Sequence, residues 1–246
     1  MDDPFLVFVG IGFLAQLVDG ALGMAYGLIS NSVLLALGLP PALASATVHT
    51  AELATSGVSG LSHAWFRNVD WKLFRHLAIA GAIGGTLGAT LLANVPGEMI
   101  RPFINVYLVA MGALMVARAL GRLLRRREVH HPGWLGLVAG LLDAIGGGGW
   151  GALATSTLVA RGHAVRSAIG SVSAAEFVVT ASISITLVLN VGIKHWPILL
   201  GLLCGGVIAA PMAAWLVRHA PEKAVMIGAG SLVVLVSAGQ LVHSWL

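Results

Sequence analysis

The chain has 246 residues, of which 57% are apolar and 10% charged, and a mean hydropathy of +0.91. That composition excludes a soluble globule and indicates an integral membrane protein. The formal charge of +4 and pI of 9.8 do not indicate nucleic-acid binding, because membrane proteins concentrate Lys and Arg in cytoplasmic loops.

Apolar stretches are predicted near 5–37, 43–66, 76–93, 102–117, 133–160, 167–189, 197–217 and 224–244. Several are long enough to cross a bilayer as helices. The Met-Asp-Asp start lacks the basic region of a signal peptide, so no cleavage is expected. Pro40-Pro41 ends the first stretch. The Arg-rich run Arg118–His131 separates two apolar halves, giving a first membrane repeat over 1–120, a basic cytoplasmic linker over 121–132 and a second repeat over 133–246. His130-His131 in that linker lacks metal-ligand spacing, and no metal or cofactor is expected. Trp65, Trp71, Trp134, Trp196, Trp215 and Trp245 lie near stretch ends, as interfacial tryptophans do. The one cysteine, Cys204, excludes an intrachain disulfide.

The two halves are copies. Asp19 recurs as Asp143 and Glu52 as Glu176, an offset of 143 − 19 = 124. At that offset Gly12, Ala15, Leu17, Gly23, Gly27, Ser32, Leu34, Ala36, Gly38, Ala44, Val48 and Ala51 also match, as do Gly81, Leu92 and Glu98 further on. Duplication is a statement about architecture. The repeated acids are a statement about function, since an ionisable group inside an apolar span is costly.

Charge placement orients the halves. If each opening stretch crosses once, the halves are parallel and basic residues divide nine to five. If each enters and returns as a hairpin, Arg67, Lys72, Arg75, the five arginines of 118–127, Arg161, Arg166, Arg218 and Lys223 share one side. That places twelve against the two left opposite, Arg101 and Lys194. The positive-inside rule favours the second arrangement. Half-helices of about 15 residues would reach only ~22 Å against a hydrocarbon core of ~30 Å. The expected fold is therefore an all-α membrane protein of two inverted repeats. Each repeat is a re-entrant, glycine-broken hairpin plus three transmembrane helices, eight to ten segments in all, with both termini outside.

The breaks fall at Asp19–Gly27 and Asp143–Gly151. Interrupted helices at mid-membrane expose backbone ends, and inverted repeats with such helices form a known transporter architecture. Glycine permits the reversal, and the helix after each break offers unpaired amides and a positive dipole end to an anion. Expected substrate contacts are Gly20, Gly23, Tyr26, Gly27, Asn31 and Ser32 in the first half. In the second they are Gly146, Gly147, Gly148, Gly149, Trp150, Gly151, Thr155 and Ser156, with Thr157 nearby. With no Lys or Arg placed deep in a span, dipoles and hydroxyls would hold the anion. The glycines also suit plain close helix packing. Asp19 and Asp143 fit helix N-capping or proton and cation binding. Glu52 and Glu176 are proton-relay candidates, with interhelical hydrogen bonding and pore lining as alternatives. His49, three residues before Glu52, can share its helical face, and its counterpart is Ser173. His163, His195, His219 and His243 fall at segment ends.

Gly57-Val58-Ser59-Gly60 resembles the GxSG motif of rhomboid intramembrane proteases. His63 is on the same helix, however, and the repeat counterpart Ala181–Ser184 lacks the motif, so a protease is a remote alternative.

The glycine-broken openings are similar to those of the TauE/SafE family of sulfite and organosulfonate transporters. Leu137–Gly151, with Gly146-Gly147-Gly148-Gly149, carries the resemblance; the first copy keeps only Gly20, Gly23 and Gly27. The resemblance extends over nearly the whole chain in length, duplication and basic linker. It implies a secondary carrier of the bacterial inner membrane for sulfite, a sulfonate or a related sulfur anion. The expected function is proton-coupled anion transport without in-chain ATP chemistry, since no Walker A loop is present. A passive anion channel is the alternative. Expected partners are the small anion and membrane lipid, with a homodimer allowed and nucleic acid not.

Overall fold

The computed structural model describes residues 4–22, 24–121, 132–161, 163–219 and 222–243. Ten helices and no strand occur among them. They are α1 (Pro4–Leu22), α2 (Tyr26–Ala36), α3 (Pro41–Trp65), α4 (Trp71–Asn94) and α5 (Gly97–Ala119), then α6 (Pro132–Gly146), α7 (Trp150–Ala160), α8 (Val165–Val191), α9 (Trp196–His219) and α10 (Glu222–His243). Adding 124 to the bounds of α2 reproduces those of α7, and the other elements follow within a few residues. Each opening stretch is two helices, so the eight apolar stretches become ten helices. At 19 residues α1 reaches ~28 Å, longer than an even division of the stretch gives, whereas α2 and α7, at 11 residues, reach only ~16 Å.

Local signals set several boundaries. Pro41 occupies the first turn of α3, where a missing N–H costs nothing. The Asp70 carboxylate accepts from the amides of Lys72 (2.9 Å) and Leu73 (3.1 Å), capping α4. Arg101 donates to the carbonyls of Leu35 (3.3 Å) and Leu39 (2.9 Å), placing a cation at the negative end of α2.

The two halves interlock rather than sit side by side. α1 packs on α9 and α6 on α4, while α3 pairs with α8 and α5 with α10. Exchanging each helix for its repeat partner leaves these four pairings unchanged. Glycines mark the closest approaches. A Cβ on Gly60 would lie 3.2 Å from the Ala174 backbone, and one on Gly57 would lie 3.2 Å from Phe177. Contacts thus run in opposite order along α3 and α8, which are antiparallel. α5 and α10 are antiparallel too: Gly112 lies against Val234, and Val116 against Gly230. Gly57 and Gly60, the glycines of the GxSG motif, are therefore helix-packing positions. His63 Nδ1 lies 3.2 Å from Asn68 Nδ2.

The outer surface is apolar. Ile79, Ile83, Leu87 and Leu91 form an exposed row at four-residue spacing on α4. Trp65, Trp71, Trp134 and Trp196 stand exposed at helix ends. Among the described residues, four helices, Trp71–Asn94, Gly97–Ala119, Arg166–Val191 and Lys223–Val242, are long and apolar enough to cross a membrane.

Candidate functional site

The two breaks cross in the interior. A Cβ on Gly27 would lie 2.6 Å from Gly148 Cα and 2.9 Å from Gly147 O, so the two backbones touch and only glycine fits there. The turns are alike despite different sequences. Gly149, before α7, has φ 127°; its counterpart Ala25, before α2, has φ 110°. Ala25 is one of two described non-glycine residues with positive φ, a conformation that costs an L-residue energy.

Each aspartate caps the helix beyond its own break. Asp19 Oδ1 accepts from the amide of Tyr26 at 3.2 Å, and Asp143 Oδ1 from that of Trp150 at 2.9 Å. A carboxylate thus already satisfies the first orphan amide of each short helix. Glu52 is buried on α3. Glu176 on α8 is half-buried and lies within electrostatic range of Glu52, Asp19 and Asp143.

The second break differs from the first in how many first-half side chains hold it. Ser45 Oγ donates to Ala144 O (2.8 Å), Asn31 Nδ2 to Gly146 O (2.6 Å) and Tyr107 OH to Gly148 O (3.0 Å). His49 Nε2 faces Asp143 Oδ2 at 3.3 Å, with both side chains buried, while its Nδ1 lies 2.9 Å from Ser45 O. These groups account for the glycine run. A Cβ on Gly146 or Gly149 would strike Tyr107, one on Gly147 would strike Asn31, and one on Gly148 would strike Gly27. At positions 45 + 124, 49 + 124 and 107 + 124 the second half has Ile169, Ser173 and Ser231, so the set is not duplicated.

The other expected contacts are placed as follows. Tyr26 and Trp150 are buried, and their polar atoms serve the protein: Tyr26 OH donates to Leu202 O (3.2 Å), Trp150 Nε1 to Val172 O (3.1 Å). Ser32 Oγ donates to Ile29 O, and its own carbonyl accepts from Gln240. Thr155 is buried on α7. Gly20 lies in α1; Gly23 and the linker residues 122–131 are outside the described residues. Among the described residues, no group of three or more His, Cys, Asp or Glu is placed to hold a metal.

Three residues that the sequence reading passed over belong to this region. Ser45 and Tyr107 hold the second break; the only sequence hint was that Tyr107 is one of two tyrosines in the chain. Arg118, which opens the Arg-rich run of the sequence, lies in the last turn of α5. It donates to Ser156 Oγ at 2.7 Å and reaches Met24 Sδ at 3.9 Å. Its guanidinium, on a long flexible stem, reaches back from the helix end to Ser156, one of the expected substrate contacts.

The family model described as Sulfite exporter TauE/SafE matches residues 8–239. The chain is 40% identical over 251 residues to the probable membrane transporter protein YtnM of Bacillus subtilis (strain 168), covering 98% of this chain and 84% of that protein. It is 31% identical over 99 residues to the probable membrane transporter protein ORF9 of Sinorhizobium sp, covering 40% of this chain and 38% of that one. No solved structure matches. The protein is a multi-pass membrane transporter rather than an enzyme, and it belongs to the TauE/SafE sulfite exporter family.

Proposed function

We propose that the protein is a secondary transporter of a small anion, sulfite or an organosulfonate, that binds near mid-membrane where the two broken helices cross. The crossing of two helix N-termini beside Glu52 and Glu176 carries this reading. The amides of Gly151 and Ala152 continue the α7 terminus beyond the one that Asp143 caps, and hydroxyls line α7 further on. The family description supports sulfite as the first substrate to try. Proton exchange at Glu52, Glu176 or both would set direction, with Asp19, Asp143 and His49 in the same network. In the His49–Asp143 pair, a proton between Nε2 and Oδ2 can move from one atom to the other without changing the net charge of the pair.

Two inverted halves that rock about the crossing would alternate access. The antiparallel pairings of α3 with α8 and of α5 with α10 support inversion. So does Arg166, which donates to Phe66 O (3.1 Å) and Asn68 Oδ1: the parallel arrangement puts Arg166 and Phe66 on opposite sides of the membrane. By the positive-inside rule the face with Arg67, Arg118 and Arg166 is cytoplasmic, and both termini are outside. Direct contact of Gly27 with Gly148 favours a carrier over a channel, because it leaves no gap between the breaks at that point.

The test is sulfite flux into proteoliposomes with and without an imposed pH gradient. Saturable, gradient-driven flux is expected. Conductance without saturable counterflow would make the protein a channel, and no flux of sulfite or any sulfonate through folded protein would overturn the substrate reading.

A further inference from the structure

The buried side-chain atoms that lack a hydrogen-bond partner are gathered toward one end of the protein, the end of Arg101 and Lys194. There Asn105 on α5 has both amide atoms unpaired, as are Thr180 Oγ1 and Ser184 Oγ on α8 and Ser237 Oγ and Gln240 Oε1 on α10. The unpaired atoms of Ser30 and Asn31 lie between the crossing and the same end of α2, and that of Gln16 lies one turn before Asp19 at the crossing. Toward the end of Arg67 and Arg166, by contrast, buried Ser171 Oγ accepts from the Asp70 amide at 2.9 Å. Among the described residues, none of the unpaired atoms lies toward that end.

The unpaired groups form two files. Gly112 lies against Gly230 and Val234, so Asn105, 112 − 105 = 7 residues nearer the Arg101 end, comes level with residues 230 + 7 = 237 to 234 + 7 = 241 of antiparallel α10. Ser237 and Gln240 fall in that window, and Gln240 Nε2 donates to Ser32 O of α2 at 3.2 Å. On α8, Glu176, Thr180 and Ser184 follow at four-residue spacing along one face, leading from the Lys194 end to the Glu176 carboxyl. A local partner was available: Thr47, Thr50, Thr90 and Thr186 each donate to the carbonyl four residues earlier, whereas Thr180 and Ser184 do not. An unpaired buried hydroxyl or amide bears its whole desolvation cost, which is relieved where water reaches it.

We propose that the half toward Arg101 and Lys194 opens into a water-filled vestibule in a second state, and that the present structure is closed on that side. Asn105, Ser237 and Gln240 line the vestibule's route to the crossing, and Ser184 and Thr180 its route to Glu176. The inference rests on the alternating-access carrier reading above and adds the closed side and the residues along which a hydrated anion and a proton enter.

The test is reaction of single cysteines with a charged, membrane-impermeant methanethiosulfonate, applied to either face of the membrane in the Cys204→Ser background. Buried Ser184→Cys and Ser237→Cys are expected to react from the face that labels a cysteine at position 194, and not from the face that labels one at position 67. Ile185→Cys and Leu235→Cys are the controls: these side chains are 60% and 72% exposed, but on the apolar outer surface, where lipid disfavours the thiolate. Reaction at 184 and 237 about tenfold or more faster than at 185 and 235 is expected, the reverse of their order of exposure. Absence of reaction at 184 and 237 under conditions that label 194 overturns the inference, and so does reaction from the face that labels 67. Ser184→Ala and Ser237→Ala guard against cysteines that disturb the fold: loss of an unpaired hydroxyl should leave the melting temperature unchanged or raised, and a lowered one overturns the inference. The expected labelling in protein that moves no sulfur anion would support the vestibule and overturn the substrate reading alone.

Discussion

Replacing Gly27 with alanine tests the crossing directly. Gly27 is helical, and in a helix alanine is favoured over glycine by ~1 kcal/mol, so propensity alone predicts a more stable protein. The crossing predicts the reverse. The new Cβ would lie 2.6 Å from Gly148 Cα, while ordinary contact begins at 3.4 Å, so the breaks must part by 3.4 − 2.6 = 0.8 Å. Both nearest atoms belong to backbone, so no side chain can rotate away. Overpacking of this kind costs about 1–3 kcal/mol. Gly239→Ala in α10, where a Cβ meets nothing within 4 Å, is the control that keeps the propensity term without the clash. For a chain of this length 1 kcal/mol moves the melting temperature by about 2–4 °C, so Gly27→Ala should melt about 2–12 °C below Gly239→Ala. Tryptophan-fluorescence melts of purified protein in detergent measure the difference. A Gly27→Ala protein melting at or above Gly239→Ala would refute the crossing.

Ala25→Gly relieves the positive φ and should raise the melting point, with a gain of at most ~1–2 kcal/mol; a lower melting point would mean that the turn is not strained. Asp19→Ala removes one cap, costing about 0.5–2 kcal/mol, whereas Asp143→Ala also strands buried His49 and should cost about 1–3 kcal/mol more, read in the same melts. Glu52→Gln and Glu176→Gln should weaken gradient-driven flux while leaving anion exchange; unchanged pH dependence in both single variants and the double would reject proton coupling through these carboxyls. In a Cys204→Ser background, single cysteines at positions 67 and 194 should label from opposite faces of the membrane, and labelling from one face would sink the inverted topology.

The sequence by itself determined the membrane class, the duplication and the positions of both breaks. These are written in composition and in a ladder of identities at one offset, and a helix in lipid is decided locally because it satisfies its own backbone. The paired acids were legible for the same reason: a carboxylate in an apolar run is conspicuous wherever the run folds. Tertiary structure decided what those residues touch. Only the interlocking of the halves brings Gly27 onto Gly148, His49 onto Asp143 and Tyr107 onto the second break, contacts separated by 121, 94 and 41 residues. Read alone, Gly146-Gly147-Gly148-Gly149 marked the space at a helix break where an anion was expected to meet the backbone. In the fold much of that space is taken by Asn31, Tyr107 and Gly27, because glycine admits any close neighbour and does not specify which. Arg118 shows a complementary limit: its sequence position marks a helix end, but the length of its side chain decides where the charge lies.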